Sequence, residues 1–431
     1  MDQTNSPVPP AMQLWLTALS DDLERRKRDH LFRTLSPVAG AQGTEITIGS
    51  KRYLQFCTNN YLGLAADIEV IDAARGALDR WGFGSGASRL VAGSMESHHE
   101  LEADLAEFKH TDAALVFASG YAANMAVLTT FAGSRDRIFS DKLNHASLLD
   151  AASASGARSR TFQHRNYQRL TALLEHHADH APIPSQSQSL PGSDLDSAGH
   201  PLSAKPGPQG RTWIVTDTVF SMDGDLADMA ALGRIARQNG AFLVTDEAHA
   251  TGVLGPDGRG VAAMAGAESE IAVSVGTLSK ALGSMGGFVT GPREAIETLV
   301  NRSRQFIYTT ALPAACTAAA RTALQISRRE PHRRMRVLSI AAHVRKELTA
   351  MGYATGGSES PIIPVMLGSA QQAMEASAWL REQGLFIPAI RPPTVAANTA
   401  RLRISLMATH TDSQITRLLS AVKELRNHLP Q

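Results

Sequence analysis

Residues 276–283 read GTLSKALG and place Thr277, Ser279 and Lys280 in one tight turn after a run of small apolar residues. A lysine at the carboxyl end of a buried strand must bring its charge near the core or lose it. Desolvation lowers the pKa of such an amine, which suits it to imine formation with an aldehyde. The two hydroxyls beside it can hold a phosphate while the amine reaches that aldehyde. An ordinary surface lysine in a Ser/Gly loop has the same local sequence, so the turn alone does not decide.

A second segment, AFLVTDEAHATG at 241–252, sets Asp246 directly after an apolar strand, at the sheet edge where α/β proteins bind ligands. A carboxylate there can keep a pyridine nitrogen protonated, which makes the ring an electron sink for a carbanion. His249 can donate to a phenolic oxygen on the same ring; a pair of solvated loop residues is the plain alternative. The tetrapeptide DEAH also occurs in nucleotide-driven helicase motors. Those motors need G-x-x-x-x-G-K-[ST], and the chain contains no Gly-Lys pair.

Three further segments follow the same strand-then-turn pattern. FASGYAAN at 117–124 opens a helix whose unpaired N–H groups and positive end favour phosphate, with Gly120 permitting close approach and Tyr121 beside it. DKLNHASLLDAA at 141–152 places His145 before a helix, where a flat imidazole can stack on a flat ring or simply begin the helix. TDTVFSMDGD at 216–225 places Ser221 in a loop that ends in a turn. The glycine-dense GFGSGASRLVAG at 82–93 permits close packing but lacks the acidic partner of a dinucleotide site. No metal site is expected: His176 and His180 share a helix face without a third ligand, and His98 and His99 lack an HExxH pattern. The basic cluster Arg25–Arg28 reads as a solvated helix face.

The elements that must hold these residues alternate. Apolar runs at 113–117, 136–139, 212–216, 241–245, 272–275 and 287–290 are separated by helical stretches, among them 229–238. That alternation predicts an α/β fold with a mostly parallel sheet covered on both faces by helices. A helix is expected over 12–34. The organisation expected is an N-terminal helix and arm at 1–50, a large α/β domain at 51–330 and a smaller α+β domain at 331–431. Within the large domain, residues 182–210 are dense in Pro, Ser and Gly, which predicts a disordered insertion.

Composition removes several other classes. With 431 residues and 43% hydrophobic content the chain can bury a large core. A formal net charge of +1 gives no footprint for nucleic acid or anionic membrane. No apolar run reaches the length of a bilayer span, and residues 1–12 carry no secretory signal pattern. The two cysteines, Cys57 and Cys316, form no disulfide framework, so a cytoplasmic setting is expected.

Taken in order, ASGYAAN, NHASLLDAA, FSMDGD, DEAHATGVLG and GTLSKALG resemble the α-oxoamine synthases, a family of fold-type I pyridoxal-phosphate enzymes. The resemblance runs from about Leu23 to the C-terminal helix and implies a seven-stranded sheet. It also implies pyridoxal 5′-phosphate carried on Lys280, with Asp246 at the pyridine nitrogen and His249 at the phenolic oxygen. His145 then stacks on the ring, and Gly120, Tyr121, Ser221 and Thr277 contact the cofactor. Arg33, Asn59, Arg391 and Thr394 fall at positions resembling substrate-binding ones. The family forms homodimers with sites at the interface, where Thr309 and Thr310 would reach the partner's phosphate.

AIRPPTV at 389–395 and LERRKRDHLFR at 23–33 are similar to the family member that serves biotin synthesis. That member condenses L-alanine with a pimeloyl thioester, carried by coenzyme A or acyl-carrier protein, and releases CO2. Other members use glycine or serine with acetyl, succinyl or palmitoyl donors, and aminotransferases and lyases share the fold. Three positions depart from the pattern. Asp217-Thr218 stands where Glu-Gly is usual, Ala250 where Gly or Ser is common, and Ala-Ala-Asn follows AIRPPTV.

Overall fold

Neighbouring residues of the central strands feed two different cores. Leu243 packs with Leu232 and Ala236 on one side of the sheet, while Val244 packs with Ala123, Ala126 and Val127 on the other. Ile214 and Val215, and likewise Phe288 and Val289, divide in the same way. Apolar residues at successive positions require cover on both faces, because side chains alternate across a strand.

The computed structural model describes residues 9–178 and 210–428. Its central sheet has seven strands in the order Ala113–Phe117, Gly287–Gly291, Ile271–Thr277, Phe242–Asp246, Thr212–Asp217, Arg137–Asp141 and Arg158–Phe162. Gly287–Gly291 is antiparallel to both neighbours, and the other pairings are parallel. The exception has a simple cause. Only the segment 278–286, which carries Lys280, separates Ile271–Thr277 from Gly287–Gly291, and a parallel return needs a longer crossover.

The C-terminal unit contains the long helix Pro331–Ala350 and a three-stranded sheet. Ala400–Ser405 is the middle strand of that sheet, paired with Ile362–Gly368 and Ala389–Ile390. Leu402 and Ile404 enter the core, so Arg401 and Arg403 must face the other way, towards the large sheet's loops.

Several expectations change. The N-terminal helix spans Pro10–Arg28 rather than 12–34. Proline starts it at the first helical position, and the chain reverses at His30, whose φ is 56°, while Leu31 and Phe32 donate back to the Arg26 carbonyl. A boundary at 50/51 would cut a hairpin, since Glu45–Ile48 pairs with Lys51–Gln55. Lys51–Gln55 also pairs with Leu385–Phe386, which ties the N-terminal segment to the C-terminal unit. The helices Ile68–Trp81 and Glu96–Lys109 and the edge strand Arg158–Phe162 were not read from the pattern; the strand's RSRTF sequence is mostly exposed. The insertion expected at 182–210 lies outside the described residues apart from Gly210, as does His180, and with it the His176–His180 pair.

Candidate active site

Four parallel strands deliver their carboxyl ends to one place. Ile271–Thr277 leads into Lys280, Phe242–Asp246 ends on Asp246, Thr212–Asp217 ends on Asp217, and Arg137–Asp141 leads to His145. Lys280 is half-buried, and burial pushes its amine down to about 8 despite the opposing charges of Asp246 and Asp217. An amine poised there has an appreciable neutral fraction near neutral pH, the form that attacks a carbonyl. The turn is closed by Leu278 N–H on the Gly286 carbonyl and Ser284 N–H on the Leu278 carbonyl.

Asp246 is buried, and its carboxylate is held from two sides. The Asn124 amide donates to Oδ2 at 2.7 Å, and the Ala248 backbone N–H donates to Oδ1 at 2.8 Å. Asn124 also donates to Ser147 Oγ at 2.9 Å. Asn124 was not singled out by sequence, although its place one turn after Gly120 puts it on the same helix face.

Asp217, noted only as a departure, sits directly opposite Asp246 in register on the adjacent strand. It accepts from the His145 backbone N–H at 2.5 Å, and burial followed by the Asp246 charge raises its pKa well above the carboxylate range. His145 begins a helix, one of the two parts foreseen for it. Its Nδ1 accepts from Ser147 N–H at 3.2 Å and so caps the helix Ala146–Ala154, which leaves Nε2 to carry the proton. Burial, above all, lowers its pKa, so the ring is predominantly neutral at pH 7.

His249 lies 2.7 Å from the Tyr61 hydroxyl through Nδ1. Burial holds the Tyr61 phenol up to about 12 and drives the His249 pKa far down, so both are neutral. The phenol has one proton to give; donated to Nδ1, it leaves the His249 proton on Nε2. Tyr61 is also 3.2 Å from Asn59 Oδ1, which in turn accepts from Arg403 Nη2 at 3.2 Å. Arg403 is 5% exposed and donates to the Ser221 carbonyl at 2.6 Å and to Ser405 Oγ at 2.7 Å. It carries a fixed cation from the C-terminal unit to the site, and the alternation in ARLRIS was the signal that could have found it.

Gly120 begins the helix Gly120–Phe131, with the Ser119 side chain accepting from Ala122 N–H. A side chain at Gly120 would lie 3.6 Å from Thr277 Oγ1, so the helix start and the Thr277–Ser279 hydroxyls are neighbours. Gly287 permits that approach: a Cβ there would stand 2.5 Å from the Gly120 nitrogen. Tyr121 is exposed, its hydroxyl donating to Asp150 at 2.5 Å.

Arg33, Arg391 and Thr394 form a separate cluster. Arg391 donates to the Phe32 carbonyl at 2.6 Å, Arg33 reaches the Pro392 carbonyl at 3.4 Å, and Thr394 N–H donates to the Arg391 carbonyl at 3.1 Å. Arg391 is buried with its Nε unpartnered, and burial together with the Arg33 charge lowers its pKa. Two facing guanidiniums with donors to spare suit an anion.

A phosphorylated pyridine aldehyde fits this donor set. Lys280 offers the amine, Asp246 a buried carboxylate for a ring nitrogen, His249 a neutral N–H donor and His145 a flat neutral ring. The Gly120 helix start with Thr277 and Ser279 offers the phosphate end. Residues 51–422 match the family described as Aminotransferase class I and II. The chain belongs to that family.

The 8-amino-7-oxononanoate synthase of Hahella chejuensis is 42% identical over 409 residues, 95% of this chain and 96% of that protein. A serine palmitoyltransferase variant from S. paucimobilis, solved with a PLP–myriocin group bound, superposes with a TM-score of 0.84 at 29% identity, covering 97% of this chain and 98% of its own. The crystal structure of 8-amino-7-oxononanoate synthase from Francisella tularensis gives a TM-score of 0.69 at 26% identity, over 87% of this chain and 98% of its own.

Proposed function

We propose that this chain is a pyridoxal-phosphate-dependent acyltransferase that condenses L-alanine with a pimeloyl thioester to give 8-amino-7-oxononanoate, CO2 and the free thiol carrier, a step of biotin synthesis. The observation that carries this reading is the 42% identity across 95% of the chain to an enzyme of that name. The Lys280, Asp246, His145 and His249 arrangement is consistent with it. Identity to the serine palmitoyltransferase is lower, at 29%, which favours alanine and pimeloyl over serine and palmitoyl.

Bound at this site, pyridoxal phosphate supplies a carbonyl for amines and an electron sink for negative charge at the amino acid's Cα. Lys280 holds the cofactor and, as a free amine lowered to about 8, takes the Cα proton onto Nζ as general base. Asp246, fixed by Asn124 and Ala248 N–H, would present its carboxylate to the ring nitrogen. His249 would donate to the phenolic oxygen and His145 would supply the stacking face. Gly120, Tyr121, Ser221 and Thr277 would line the cofactor. Arg403 and Asn59 receive the alanine carboxylate, and Arg33, Arg391 and Thr394 receive the far carboxylate or carrier end of the pimeloyl donor. The new bond joins Cα to the thioester carbonyl carbon, the thiol carrier leaves, the alanine carboxylate departs as CO2, and the electron pair left at Cα takes a proton back from Lys280 Nζ.

The carrier is coenzyme A or acyl-carrier protein, and the enzyme works as a homodimer in the cytoplasm. Exposed Phe83, Val91 and Tyr308, together with Trp15 and Leu16 on a helix with no buried residue, supply apolar surface for a second copy, with Thr309 and Thr310 at the shared site. Cys57 and Cys316 are free thiols, and among the described residues no helix is long and apolar enough to cross a membrane.

The test offers pimeloyl-CoA with alanine, glycine or serine and follows thiol release and product mass. Release with alanine alone is expected; no release with alanine refutes the assignment. Borohydride reduction and peptide mapping place the cofactor, and a label on any lysine other than Lys280 overturns the site.

A further inference from the structure

His164 stands at the end of the edge strand Arg158–Phe162, between two carboxylates that the chemistry above does not use. Its Nδ1 is 3.0 Å from Asp141 Oδ1 and its Nε2 is 2.7 Å from Asp225 Oδ2. Asp141 and Asp225 are both buried, while the His164 side chain is 24% exposed. Its ring lies edge-on to Phe220, with centroids 4.3 Å apart. The charged and titratable groups facing it are Asp141 and Asp225, with Arg165 and Tyr167 following on its own segment.

A neutral imidazole has one N–H and cannot donate to both carboxylates; only the imidazolium can. Each aspartate anchors a loop of the site, Asp141 through its carboxylate and Asp225 through its backbone. Asp141 begins the turn to His145 and accepts from Leu143 N–H at 2.8 Å and Arg165 N–H at 2.9 Å. Asp225 closes the loop that carries Ser221, its carbonyl accepting from Phe220 N–H at 3.0 Å. The same loop is tied to the C-terminal unit by the Asp223–Arg401 ion pair and by the Arg403 bond to the Ser221 carbonyl.

We propose that His164 is a positioning residue: as an imidazolium it clamps Asp141 to Asp225 and so fixes the His145 loop against the Ser221 loop for the condensation. This rests on the function proposed above and gives the MDGD turn a task. The two carboxylates hold the His164 pKa up to about 9 against the opposing effect of burial. A raised base stabilises the fold fully below its ordinary pKa of 6.5 and loses that contribution as pH rises through about 9. The clamp is therefore closed at neutral pH and opens in mild alkali.

The experiment uses the holoenzyme, with His164→Gln, His164→Arg and Asp225→Asn beside the parent. Imidazole nitrogen NMR on histidine-labelled protein, read without substrate and assigned by the resonance lost in His164→Gln, is expected to show His164 titrating near 9 in the parent and lower in Asp225→Asn. Steady-state thiol release is expected to fall roughly tenfold or more in kcat for His164→Gln, the scale of a small misplacement of reacting groups. KM for alanine should change little, and His164→Arg should recover part of the loss by keeping a cation between the carboxylates. If His164→Gln does not fold, Asp225→Asn carries both readouts. A His164 midpoint near 6.5 overturns the proposal, as does a His164→Gln kcat within twofold of the parent at a temperature where both are folded. A parent without thiol release indicts the proposed reaction instead, since the His164 titration does not depend on substrate.

Discussion

Replacing Asn124 by alanine removes a single amide that holds the central carboxylate of the site. The amide donates at 2.7 Å to Asp246 Oδ2 and at 2.9 Å to Ser147 Oγ, and Asn124 is 1% exposed, so bulk water does not stand ready to replace it. A hydrogen bond to an ionised group contributes about 1.5–3 kcal/mol and a neutral one about 1 kcal/mol. Loss of both should lower unfolding free energy by roughly 2–4 kcal/mol. If the charged bond also orients Asp246 in the transition state, its share corresponds to a fall in kcat of roughly tenfold to hundredfold.

The assay pairs denaturant unfolding with steady-state thiol release and a spectroscopic titration of cofactor affinity. Ser147→Ala is the comparison, because it leaves the Asp246 contact in place while removing the neutral Asn124 bond and the Ser147 hydroxyl's 2.7 Å contact with His145 Nδ1. Its expected cost is about 2 kcal/mol in stability, one neutral bond to Asn124 and one to His145, with cofactor affinity near that of the parent. An Asn124→Ala enzyme with parental kcat and cofactor affinity refutes the reasoning, as does a Ser147→Ala enzyme whose cofactor affinity falls to the same degree.

Three further outcomes follow from the same contacts. In cofactor-free protein the Lys280 amine binds its proton less tightly folded than unfolded, so its contribution to stability should rise with pH between about 8 and 10.5, by up to about 3 kcal/mol. The difference in pH–stability slope between the parent and Lys280→Met measures this, and identical slopes count against the buried amine. Gly276→Ala places a Cβ 2.2 Å from Phe288 Cζ, so thermal unfolding should report a loss of about 1–3 kcal/mol from overpacking. Arg403→Lys keeps a charge but loses the planar fork that spans Ser221, Ser405 and Asn59, and KM for alanine should rise roughly tenfold while an unchanged KM removes Arg403 from the substrate site.

Strand-then-turn punctuation made Lys280, Asp246, His145 and Gly120 legible, because each follows a short apolar run that can only be a buried strand. The family motifs added roles that spacing could not supply. Asn124, Tyr61 and Arg403 were missed because each contributes through a partner distant in sequence: Asp246, His249 and the Ser221 loop. The hairpin formed by 45–48 and 51–55 was missed for a related reason, since its parallel partner is Leu385–Phe386.

Sequence by itself determined the alternation of buried strands and helices, the end of the sheet at which the ligand site forms, and the residue types that converge there. Those properties are local: hydrophobic period, strand length and the residue after each strand decide them. Tertiary structure alone decided protonation and pairing. Register set Asp217 against Asp246, burial drove the Lys280 amine down and the His249 ring neutral, and two carboxylates from different loops closed on His164. Such effects depend on distance and desolvation between segments far apart in the chain, which no local pattern encodes.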